Sequence, residues 1–140
     1  MSEEVPLCPE TGQPMSRGVR WVTLTYKSES VVVEMPGWYV EGCSDGVHTP
    51  EDMAVSDRAL AELRIRANRL LSGGEVRRIR RKLGLSQREA GHVVGGGPNA
   101  FQKYESGEIL TSKAVSNLLR VLDSHPEALV SLREVDAAGR

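Results

Sequence analysis

The stretch Ser86–Gly107, SQREAGHVVGGGPNAFQKYESG, decides the fold. It spells two short helices joined by three glycines and a proline. Ser86 and Glu89 have the S-x-x-E form of a capping box, in which the serine accepts from a first-turn N–H and the glutamate reaches back. Leu85 and Ala90 flank the cap where a hydrophobic staple packs, and Val93 and Val94 continue the apolar face. Gly95, Gly96 and Gly97 then break the helix, because glycine takes positive φ at little steric cost. Pro98 suits the first position of the next helix, having no N–H to leave unpaired. Gly107 suits its C-terminal stop.

The second helix has two unlike sides. Ala100, Phe101 and Tyr104 form a core-facing stripe, and Asn99, Gln102, Lys103 and Ser106 fall opposite. Asn and Gln pair bidentately with adenine, and Lys donates to guanine. A helix-turn-helix places the N-terminal part of its second helix in the major groove. The spacing therefore predicts base reading by Asn99, Gln102 and Lys103, with Ser106 as a positioning residue. The same spacing also serves an ordinary solvated helix face.

Charge separates these readings. Upstream, EVRRIRRKL (75–83) predicts a helix with Val76, Ile79 and Leu83 inward and five cations outward. Gly73 to Ser106 holds seven cations against three anions, whereas residues 1–55 hold three cations against nine anions. A formal net charge of −1 thus hides an acidic front and a basic middle. A basic segment on a helix-turn-helix is the footprint of phosphate contact. Arg77, Arg78, Arg81, Lys82 and Arg88 are the candidates for it. The glycine turn Gly95–Pro98 is a further place of close backbone approach to a phosphate, or simply a permissive turn.

The rest follows in chain order. The chain has 140 residues, 39% of them hydrophobic and 4% aromatic, which allows one domain or two small ones with modest aliphatic cores. It has no apolar run near the roughly 18 residues of a membrane span. The acidic start MSEEV lacks a signal-peptide pattern, so a cytoplasmic protein is expected. Residues 1–49 read as a small β-rich domain. Strands are expected at Val19–Tyr26, Val31–Met35 and Trp38–Gly42, with turns at Lys27–Ser30 and Pro36-Gly37. So small a meander needs a staple or a partner. Cys8 and Cys43 sit at its two ends but make no disulfide framework. A zinc ribbon wants C-x-x-C at each end. Thr11 and Gly46 stand at the second positions here, with Glu10, Asp45 and His48 nearby. Zinc on Cys8 and Cys43, or two buried thiols without metal, are both open. Residues 50–74 predict a helix opened by Thr49 and Pro50, a second run from Ser56, and a hinge at Ser72-Gly73-Gly74. Residues 75–133 predict five helices, and 134–140 a frayed tail. The fold class is α+β: a zinc-ribbon-like front domain, with or without metal, and an all-α helix-turn-helix domain.

LSQREAGHVVGGGPNAFQKYESG followed by LLRVLDSHPEAL closely resembles the C-terminal domain of the MqsA (YgiT-type) antitoxins, a branch of the Xre/Cro helix-turn-helix family. The resemblance is strong over 75–133 and weaker at the front, where that family carries a zinc-binding β domain with paired cysteines. It implies a homodimer that binds palindromic operator DNA in its own promoter, with Asn99 and Lys103 reading bases. Lys103 stands where arginine is usual, keeping the charge but losing the planar fork. It also implies a front domain that neutralises a small ribonuclease toxin; the strand edge Val31–Met35 is either open to pair with a partner or covered internally. The alternative is a stand-alone Xre-type regulator with a vestigial or ligand-sensing front. His48, His92 and His125 show no catalytic spacing, so no enzyme is expected.

Overall fold

A computed structural model describes residues 4–139. The chain forms two compact units that divide between Ala67 and Asn68.

The first unit is a long hairpin and a helix. Strands β1 (Ser16–Tyr26) and β2 (Glu29–Tyr39) pair antiparallel, with Tyr26 opposite Glu29 and Val22 opposite Val33. Two strands stand where three were expected, because Pro36-Gly37 lies inside β2 rather than at a turn. The parity of the ladder explains why proline is tolerated there. Trp38 exchanges both backbone bonds with Val47 on the outer edge, so Pro36, two residues earlier, also points outward. Its missing N–H removes no bond to β1. Its carbonyl faces His48 Nδ1 at 2.9 Å. Gly37 is required by close approach, since a Cβ there would lie 2.6 Å from His48 Nδ1.

Helix α1 (Pro50–Asn68) belongs to this unit up to Ala67 and runs unbroken through Ser56, so no second helix starts there. Thr49 and Asp52 cap its start reciprocally, by Thr49 N–H to Asp52 Oδ2 at 2.9 Å and Asp52 N–H to Thr49 Oγ1 at 3.1 Å. Arg17 of β1 grips the same carboxylate with two bonds of 2.8 Å. The Arg17 pair, aided by Thr49, holds the Asp52 carboxyl well below its usual range. Further along, Arg64 lies over the Tyr26 ring. At the other end of the unit the expectation of unpaired cysteines is overturned: Cys8 and Cys43 form a disulfide. The turn after Val40 returns the chain beneath the loop at Cys8, and the two sulfurs are buried with Met15, Trp38 and Val40.

The second unit has five α-helices among its described residues. They are α2 (Gly73–Lys82), α3 (Gln87–Val93), α4 (Ala100–Ser106), α5 (Lys113–Ser124) and α6 (Leu129–Ala138), with a 3-10 turn Pro126–Ala128 before the last. The expected hinge at Ser72 is a helix cap instead: Ser72 and Glu75 form a capping box like that of Ser86 and Glu89. The expected frayed tail is helical to Ala138, consistent with the strong helix propensity of Ala137 and Ala138. Leu71, Val76, Ile79, Leu85, Ala90, Phe101, Leu119, Leu122 and Leu129 make the core.

One ion pair lies beside that core. Arg80 of α2 and Glu105 of α4 meet fork to fork, Nε to Oε2 at 2.8 Å and Nη2 to Oε1 at 2.9 Å. Arg80 Nη1 also donates to Leu85 O at 2.9 Å. The two side chains are 12% and 7% exposed. Breaking such a pair on one side leaves a desolvated charge and costs about 3–5 kcal/mol, whereas replacing both partners by apolar groups is often neutral. Glu105→Ala is therefore expected to lower unfolding free energy in urea by about 3 kcal/mol or more, and Arg80→Met with Glu105→Leu to restore most of it. A loss under about 1 kcal/mol in the single variant would show that the clamp does not hold α4.

Candidate nucleic-acid interface

Helix α4 has seven residues, too few to be stable alone. Its position is set by the turn before it and the elements behind it. Gly95, Gly96 and Gly97 take φ of 123°, 100° and 90°, as the glycine run predicts. Gly97 N–H donates back to Gly91 O at 3.2 Å. A Cβ on Gly91 would overlap the Gly97 carbonyl, so α3 and the turn touch backbone to backbone. Pro98 lies two residues before the first helical position expected for it, because Asn99 is the N-cap and the helix begins at Ala100. Gly107 closes the helix in the left-handed region at φ 83°.

Behind the helix, Phe101 is fully buried and meets Tyr104 edge-on at 5.5 Å. Asn99, Gln102, Lys103 and Ser106 are exposed on the other side. Asn99 makes no side-chain cap bond, which leaves its amide available. Lys103 forms no ion pair among the described residues. Ser106 differs from the other three. Its hydroxyl donates to Lys103 O at 3.1 Å and accepts from Glu108 N–H at 3.3 Å, so it finishes the helix rather than facing outward unbound.

The five phosphate candidates also divide. Arg77, Arg81 and Arg88 are exposed without an ion pair among the described residues. Arg78 and Lys82 instead converge on Asp123 of α5. Arg78 donates to both carboxylate oxygens, at 3.2 and 2.9 Å. Lys82 Nζ reaches Oδ1 at 3.0 Å and Asp123 O at 2.7 Å. The basic helix therefore presents one i, i+4 pair to solvent and ties the other down.

Sequence reasoning missed Arg80, Glu105, Gly91 and Asp123. Two of these carry a signal. Arg80 falls four residues after Val76, and Glu105 four after Phe101, so both charges lie beside apolar stripes. Charges of opposite sign on two facing stripes predict a buried pair. Gly91 and Asp123 carry no such mark.

A family model described as the antitoxin component of bacterial toxin-antitoxin system, MqsA, matches residues 4–133. Antitoxin MqsA of Escherichia coli (strain K12) is 33% identical over 134 residues, spanning 90% of this chain and 98% of the relative. The chain belongs to the MqsA antitoxin family. The match covers both units, and an antitoxin family is a regulatory one, not a family of enzymes. The zinc implied by the family resemblance finds no ligand set here. Cys8 and Cys43 are bonded to each other, Thr11 and Gly46 offer no usual donor, and no group of three metal-binding side chains gathers among the described residues. No helix among them is long and apolar enough to cross a membrane.

Hydrogen bonds from Arg78, then Lys82, push the Asp123 carboxyl from 3.8 down to about 2. A carboxylate whose folded value is depressed stabilises above its ordinary range and loses that gain as pH falls through the folded value. Asp123→Asn is thus expected to lower Tm at pH 7, with the gap to the parent narrowing from about pH 4 toward 2. A gap that ignores pH would overturn the assignment.

Proposed function

We propose that this antitoxin represses its own operon in the cytoplasm, binding palindromic promoter DNA as a homodimer through the second unit and neutralising a small ribonuclease toxin through the first. No metal is needed in this reading. The observation that carries it is the pairing of an uncapped Asn99 amide with Lys103, free of ion pairs among the described residues, on the exposed side of a helix whose other side is anchored. Two such helices, related by a dyad, would enter successive major grooves about 34 Å apart. Asn99 and Lys103 read bases, with Gln102 beside them. Arg77, Arg81 and Arg88 neutralise phosphates. The toxin contact is supported by the outer face of the hairpin, where Val19, Trp21 and Val32 are exposed on adjacent strands. The stand-alone regulator with a vestigial front is disfavoured, because the front unit keeps a reciprocal helix cap and its own buried cluster.

The test is binding to a duplex from upstream of the chain's own gene, over a salt series. Each bidentate base contact discriminates by about 1–3 kcal/mol, so Asn99→Ala with Lys103→Ala should reduce specific affinity at least 10-fold, to the nonspecific level. Arg77→Ala with Arg81→Ala should weaken all sequences alike and flatten the salt slope by about one for each phosphate no longer neutralised. Equal, weak binding by parent and both variants would sink the repressor reading.

A further inference from the structure

We propose that the Cys8–Cys43 disulfide replaces a metal as the staple of the front unit, so that reduction loosens the toxin-binding half and leaves the DNA-binding half folded. The toxin-binding clause rests on the function proposed above; the redox dependence does not.

Three observations carry the idea. First, the cysteines are 2% and 3% exposed, and with Met15 they are the buried residues of the cluster at this end of the unit. Cleaving the bond removes the covalent tie through that cluster. Second, the chain has two cysteines, both in the front unit, so a thiol reductant has no target in residues 68–140.

Third, the two strands of the staple are held unequally. The 40–47 segment is anchored without it. Arg20 donates to Cys43 O and to Val40 O, each at 3.0 Å, and Trp38 and Val47 exchange backbone bonds. The 6–15 segment is bonded mostly to itself, by Cys8 N–H to Gln13 O and Met15 N–H to Pro6 O. Among the described residues its polar cross-link to the rest is an exposed bond from Ser44 Oγ to Glu10 Oε1. Reduction therefore releases the 6–15 segment first.

The chemistry is thiol–disulfide exchange. A thiolate of a dithiol reductant attacks one sulfur and expels the other as a thiolate. Its second thiol then resolves the mixed disulfide. Two electrons and two protons pass from the dithiol, which is oxidised, to Cys8 and Cys43, which become thiols. Disulfides in a reducing cytoplasm are usually transient or redox-sensing, which is the behaviour this staple would have there.

The experiment is hydrogen exchange of the full chain in three states: oxidised, treated with a dithiol, and treated with EDTA. The expected result is exchange at least tenfold faster in 6–15 on reduction, a smaller change in 40–47 and none in 73–138. EDTA should change nothing, and zinc should be far below one per chain. Cys8→Ser with Cys43→Ser should match the reduced pattern without reductant. Identical exchange in the oxidised and reduced states would overturn the proposal, as would stoichiometric zinc whose removal loosens the same segment. The readout uses neither DNA nor toxin, so it fails or stands apart from the repressor reading.

Discussion

The orientation of α4 depends on one buried ion pair. A seven-residue helix has no stability of its own, and its interior side is short: Phe101 is fully buried, with Ala100 and the part-buried Tyr104 beside it. Burial of one ring fixes the depth of a short helix better than its rotation. The Arg80–Glu105 fork supplies the missing constraint, because two parallel hydrogen bonds demand one relative orientation of α2 and α4. The glycine turn fixes the other end, where Gly91 lets α3 approach the Gly97 carbonyl. The polar side of α4 is therefore presented by contacts that involve none of its outward residues. In the proposed DNA-binding role, base preference would therefore change by substitution at Asn99, Gln102 or Lys103 without loosening the scaffold.

The same geometry trims the electrostatic footprint. Seven cations between Gly73 and Ser106 suggest a broad phosphate-binding surface. Arg80 is held by Glu105, and Arg78 and Lys82 by Asp123. Four cations stay without an ion pair among the described residues: Arg77, Arg81, Arg88 and Lys103. Counterion release scales with the phosphates actually neutralised, so for the proposed DNA complex composition alone would overstate the salt dependence.

The helical unit is largely legible in the sequence because its signals are local. Capping boxes, apolar stripes at 3.6-residue spacing and positive-φ glycines each act within a few residues. Asn99 and Lys103 fall on the exposed side expected of them, and Ser106 departs from expectation because its hydroxyl serves the helix end. What is illegible depends on distant partners. Asp123 meets its cations across 41 and 45 residues. Pro36-Gly37 reads as a turn locally, and only the outward parity set by Val47 and the crowding at His48 make it strand. The cysteine pair, 35 residues apart, leaves a shared zinc or two metal-free thiols open in the sequence, and that the two sulfurs bond each other depends on how the chain returns after Val40.

That pair also changes what holds the front unit. A two-stranded hairpin with one face in solvent buries too little apolar area to fold alone. A metal site would supply folding energy directly, through ligands that this chain lacks at Thr11 and Gly46. A covalent loop of about 35 residues restricts the unfolded chain instead, by about 4 kcal/mol in the chain-entropy picture. For a small unit that is comparable to its whole margin of stability. The Arg17–Asp52 pair and the Thr49 cap join α1 to β1 at a site that reduction does not touch. The front unit is thus built in two sections with different chemistry. Its hairpin and helix are held by the strand ladder, buried Met35 and Leu63 and the Arg17–Asp52 pair, while its terminal loop is held by a bond whose state the surrounding thiols decide.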